Sequence, residues 1–163
     1  QKRKVAMLRS IAGVIVGYIA LAVALFVAFS LMYMILGTDG AYKPGSWEVS
    51  TTWSIGALII GFFVALLGGF VCKLVSGRRR GAVVAMAVLI AVLGTLEFVM
   101  QMNREPPAEP RPEQVATMDA AAKSSTPLWV AGTNVLIGTV GVLIGGNVVR
   151  SRPTPDPKAD SEQ

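Results

Sequence analysis

The chain reads as an all-α membrane protein, a bundle of four transmembrane helices. Four apolar runs, Val5–Leu36, Thr52–Val75, Ala82–Met102 and Leu128–Val149, each reach or exceed the roughly 20 residues that cross a hydrocarbon core about 30 Å thick. The 163 residues are 53% hydrophobic, and the charged residues collect between the runs or at their ends. Backbone amides in lipid must be paired within their own segment, so runs of this length fold as helices; a closed barrel would need many short alternating strands. One domain over 1–150 and a short polar tail over 151–163 follow.

The first run is the longest. It carries a GxxxG pair, Gly13 and Gly17, then Ala20, Ala24 and Ala28, with Ser30 six positions before Leu36. A cleaved signal peptide is the competing reading. Its stretch from Ile11 to Leu36 exceeds the roughly 7–15 residues of a signal core and no A-x-A site ends it, so a retained helix is expected. Met7-Leu8-Arg9-Ser10 also reads as an alternative start of the chain.

A loop from Gly37 to Thr51 follows, with turn formers Gly37, Asp39, Gly40, Pro44 and Gly45 around Tyr42 and Trp47, whose rings are expected to lie on the headgroups. The second run places Ala57, Gly61, Ala65 and Gly69 on one face at i+4 spacing, which lets another backbone approach closely. Its single cysteine, Cys72, reads as a packing residue. The tight turn Ser76-Gly77-Arg78-Arg79-Arg80 predicts that the second and third spans are antiparallel neighbours. Arg78, Arg79 and Arg80 read as a topology anchor, or as a site for anionic lipid headgroups.

The third run is interrupted by one ionisable residue, Glu97. The connection 103–127 opens with Pro106, Pro107, Pro110 and Pro112; it is expected to be extended and mobile, with one short surface helix around Glu113–Lys123. The fourth run carries Asn134 near its start and Gly141 and Gly145 further on. The tail, with Pro153, Pro155 and Pro157, reads as disordered. The small-residue stripes point to a tight bundle, and they would equally suit a homo-oligomer.

With the N-terminus cytoplasmic, the inner segments hold Lys2, Arg3, Lys4, Arg9, Lys73, Arg78, Arg79, Arg80, Arg150, Arg152 and Lys158, eleven in all, against Lys43, Arg104, Arg111 and Lys123 outside. This bias puts both termini in the cytoplasm. Trp47, Trp53 and Trp129 then fall at the outer boundary, as an aromatic belt would. The net charge of +5 is explained by these flanking residues, so nucleic acid is excluded as a partner and membrane lipid is expected.

Sliding the chain against itself by 77 residues sets Leu66-Leu67-Gly68-Gly69-Phe70-Val71 over Leu143-Ile144-Gly145-Gly146-Asn147-Val148, and Gly17 over Gly94. Two repeated helical hairpins in the same orientation are one reading of this match; chance alignment of glycine-rich helices is the other.

Glu97 lies about five residues before the outer end of its helix, roughly 7 Å below the boundary at 1.5 Å per residue. Asn134 and Ser30 lie at similar depth, which makes Glu97, Asn134 and Ser30 a candidate intramembrane polar site. A carboxylate in lipid is costly unless it is paired, and such residues usually face a bundle interior or a cavity. The plainer alternative is that Glu97 reaches the headgroups or bonds Asn134 as helix glue.

No catalytic constellation, cofactor fingerprint or metal-ligand set is visible, and there is no histidine, so an enzyme is not expected. The stretches Leu8–Tyr18, Pro44–Ser50 and Leu66–Cys72 resemble small four-span bacterial membrane proteins without an assigned activity. That resemblance covers the first span through the arginine turn and implies a bacterial inner-membrane location. The expected role is an accessory or structural component acting through helix–helix contacts, with a larger membrane protein as a candidate partner. The alternative is a minimal transporter or channel-like protein built around Glu97.

Overall fold

A computed structural model of the chain describes residues 2–105, 111 and 122–149. Four helices, α1 (Lys2–Ala41), α2 (Thr51–Val75), α3 (Arg80–Met102) and α4 (Leu128–Val148), run alternately up and down. All four are long and apolar enough to cross a membrane, so the protein is a multi-pass membrane protein with an all-α, four-helix fold. The turn between α2 and α3 marks an arginine end of the bundle, and the connections after α1 and α3 mark a loop end.

Each boundary has a local cause. Gly37 (φ 65°) breaks α1 in the left-handed region, after which the chain takes one more turn to Ala41 instead of entering a loop directly. Ser50 starts α2: its hydroxyl accepts from the Trp53 amide at 3.0 Å and donates to the Gly40 carbonyl at 2.6 Å. Gly77 and Arg78 both take positive φ (72° and 66°), reversing the chain into α3. Pro127 precedes α4, where its missing N–H costs nothing.

The packing order corrects the expectation drawn from the tight arginine turn. α2 packs mainly on α1 and on α4, and α3 mainly on α4; α2 and α3 touch only lightly although just four residues join them. A short turn fixes where two helix ends meet, not which faces their length presents. The α2–α4 pairing is decided by glycine. A methyl at Gly145 would overlap the Leu66 carbonyl, one at Gly69 would overlap the Val142 backbone, and one at Gly141 would lie 2.7 Å from the Ala65 Cβ. Van der Waals contact at this range replaces the hydrophobic drive that lipid does not supply. On the other side of α2, Gly13 and Gly17 seat α1 against Ser76 and Cys72, each with 2.7 Å to the Cβ a side chain would add. Ala57 and Ala65 are buried and Gly61 half-buried on the same helix.

The core sits toward the arginine end: Met86, Cys72 and Val142 are fully buried, with Lys73 and Ser76 beside them. Because Gly13 already lies against Ser76, α1 continues about three turns past the end of α2.

The 77-residue match splits under this geometry. The α2–α4 pairs Ala65–Gly141, Leu66–Gly145 and Gly69–Val142 straddle that offset, so matched residues of these helices sit at one level. The ungapped match of α1 with α3 does not hold: Gly17 packs on Cys72 in the arginine half, whereas Gly94 packs on Val135 in the loop half.

Candidate functional site

Glu97 and Asn134 line one cavity of about 180 Å³ between α3 and α4 at the loop end, with Gly94, Gln101, Thr126 and Ala131. On α3, Gly94, Glu97 and Gln101 follow at i, i+3 and i+7, so they share a face. Gln101 is not among the residues the sequence points to, and Gly94 enters there only through the 77-residue match, although their spacing from Glu97 carries the signal. Gln101 donates from Nε2 to the Thr126 carbonyl at 3.1 Å, which ties the end of α3 to the segment entering α4. Gly94 leaves room for Val135, whose Cγ2 lies 3.1 Å from where a Cβ would be.

The site is open. Glu97 and Asn134 are both exposed, and neither hydrogen-bonds or ion-pairs with another described residue. The nearby threonines differ: Thr95 and Thr133 each donate to the carbonyl four residues earlier at 2.7 Å, so their hydroxyls are satisfied within their own helices. A carboxylate has no such local partner, since it only accepts. Toward the arginine end, the fully buried Met86 and Val142 fill the space between the helices, so the cavity is a blind cleft rather than a passage.

The expected polar layer is therefore two residues, not three. Ser30 is half-buried on α1 and does not line the cleft, because α1 packs mainly on α2, touches α3 lightly and makes little contact with α4. Similar depth along three helices says nothing about rotation around them.

A cap covers the loop end beside this cleft. Tyr42 pairs with Val49 in a bridge, and Glu48 bridges to Ser125 from the second connection. The Trp47 and Tyr42 rings meet edge to face at 6.2 Å and are both buried. Arg111 lies over the Tyr42 ring at 5.5 Å, donates to the Ser46 carbonyl at 3.2 Å and reaches Asp39 at 3.4 Å. Lys123 lies over Trp47 at 5.3 Å. Burial pushes the Tyr42 hydroxyl up to about 12, Tyr33 adding to the shift and Arg111 opposing it.

This corrects one expectation: Trp47 lies under the second connection, not in an aromatic belt, and Trp129 is the exposed member of the three tryptophans. Arg111 and Ser125 of the second connection bond to the first loop. The proline-rich stretch expected to be mobile and the expected surface helix around Glu113–Lys123 lie almost entirely outside the described residues, as does the tail from Ser151.

At the other end, Arg78, Arg79 and Arg80 are exposed at the start of α3. Lys73, counted with them as a topology charge, is instead 1% exposed in the last turn of α2, where a cation suits the helix dipole. No metal-ligand cluster is present among the described residues.

No family model, curated protein or solved structure matches the chain.

Proposed function

We propose that this protein is a non-enzymatic accessory component of a bacterial inner membrane, with both termini cytoplasmic, and that its α3–α4 cleft receives a transmembrane segment of a larger membrane protein. One observation carries the reading: Glu97, a carboxylate within a spanning helix, stands exposed on the cleft beside Asn134 with no partner among the described residues. Ionised carboxylates at membrane depth favour a cation or strong donor, so a Lys, Arg or hydroxyl on the incoming helix is the complementary group. The glycine stripes do not compete for this role, because Gly69, Gly141 and Gly145 are covered by the chain's own helices.

A minimal transporter or channel is the second reading, and the openness of the cleft favours it. The packed half around Met86 and Val142 weighs against a pathway through one chain, so that reading would need a homo-oligomer.

Photocrosslinking from positions 101 and 131 on the cleft, with Glu97 in place, tests the proposal in native membranes, with Val92, exposed on α3, as control. The expected result is one discrete protein adduct from the cleft positions, absent from position 92. Lipid adducts alone, or identical adducts from all three positions, would refute it. Reporter fusions at both ends that are active only outside would refute the orientation.

A further inference from the structure

We propose that the face of α1 turned away from the bundle is a docking seam for a partner's transmembrane helix whose extension past the arginine end is acidic. The face is a heptad row: Val5, Leu8, Ala12, Ile15, Ile19 and Ala22 alternate spacings of three and four, and all six are exposed. The row covers about three heptads, the length that a coiled-coil pairing requires. Gly13 and Gly17, which seat α1 on α2, lie on the other side of the helix.

Lipid covers only part of this row. Ser10 and Ile11 border the same groove as Gly81, so they stand level with the start of α3. Val5 comes six residues earlier, roughly 9 Å further out. The only non-helical residue of α1 is Gly37, at the far end, so its first turns continue straight past the arginine turn instead of lying down on the headgroups. From Lys4 to Arg9 every side chain except that of Ala6 is exposed. An apolar seam that leaves the lipid faces water unless a protein covers it.

Charge says which protein. Lys4 and Arg9 take the g and e positions that flank Val5 and Leu8, and neither is bonded to another described residue. The chain has no carboxylate before Asp39. Two copies side by side would set these cations against each other, whereas Glu or Asp at the flanking positions of a partner helix would pair with them. The seam is on α1 and the Glu97 cleft is between α3 and α4, so either proposal can fail alone.

The test places the full chain in phosphatidylcholine vesicles with a synthetic single-span peptide. The peptide carries Val and Leu in a heptad row, and Glu at the flanking positions of its extension; a twin carries Lys there. Energy transfer reports binding, from a donor dye on Met34→Cys in a Cys72→Ser background to an acceptor on the peptide. The Glu peptide is expected to bind roughly tenfold more tightly than its twin, since two exposed charge pairs attract in one and repel in the other. Lys4→Glu with Arg9→Glu should invert that preference, and Leu8→Lys, at a position exposed to solvent, should abolish binding. Equal binding of the two peptides would overturn the proposal, as would an unchanged preference in the charge-reversed chain or parent-like binding by Leu8→Lys. Energy transfer between copies of the parent chain would also overturn it, because a second copy would then cover the seam. So would burial of a dye on Val5→Cys when phosphatidylglycerol is added without peptide, because the lipid surface would then be the occupant.

Discussion

The two ends of this bundle solve the same packing problem in opposite ways. At the arginine end, glycines bring α1, α2 and α4 within backbone contact, and Met86, Cys72 and Val142 seal what remains. At the loop end, α3 and α4 part around Glu97, Gln101 and Asn134, and closure passes to a cap of loop residues held by Arg111 and Trp47. Rigidity and an open polar surface are thus separated along one axis. A bundle this small keeps an open polar face in one half while the other half supplies the closest packing.

The largest effect that would break this comparison is steric. Gly145→Leu forces a side chain into the Leu66 carbonyl, and should cost roughly 3 kcal/mol or more, at the upper end of over-packing. Gly132→Ala, in the open half, meets only the Phe98 ring at 3.6 Å and should be nearly neutral. Thermal unfolding in detergent measures both, and equal losses would erase the distinction between the halves.

Next is the cap. Arg111→Ala removes a cation over Tyr42 and a hydrogen bond to Ser46, with an expected local loss on the order of 2 kcal/mol. Acrylamide quenching of Trp47 fluorescence should rise while the midpoint of global unfolding moves little.

Alkaline titration sharpens the same point with a smaller effect. The Tyr42 hydroxyl is raised from 10.0 to about 12 in the folded cap, so above pH 10 the unfolded form loses its proton while the folded form keeps it. The folded state then binds more protons, and stability falls as pH rises from 10 toward 12. Tyr42→Phe should remove that slope in the quenching assay.

The smallest effect on stability belongs to Glu97→Gln. With no described partner to lose, its thermal midpoint should match the parent chain, while the cleft crosslink disappears. A large destabilisation would mean that Glu97 is structural glue.

Much of the architecture was legible because lipid makes the code simple: apolar length gives the spans, and flanking charge gives their ends. The i+4 row from Ala57 to Gly69 announced a close approach, yet not that α4 would be the helix to make it. Neighbour choice depends on rotation about each axis, and near-uniform apolar helices encode that weakly. Ser30 failed for this reason, while Glu97 and Asn134 share a cleft because both lie on the facing sides of α3 and α4. The cap was hidden by sequence distance: nothing near Tyr42 signals that Arg111 will cover it. Lys73 misled because a charge at a span end reads the same whether it faces headgroups or is folded into the core.

The most direct test of an open half above a closed one uses thiol chemistry, since the chain has one cysteine, buried Cys72 in the closed half. A membrane-impermeant, water-soluble maleimide should leave Cys72 unmodified in the folded protein in detergent. Glu97→Cys in a Cys72→Ser background should react at least about a hundredfold faster, as exposed thiols do relative to buried ones. Comparable rates at the two positions would contradict the account.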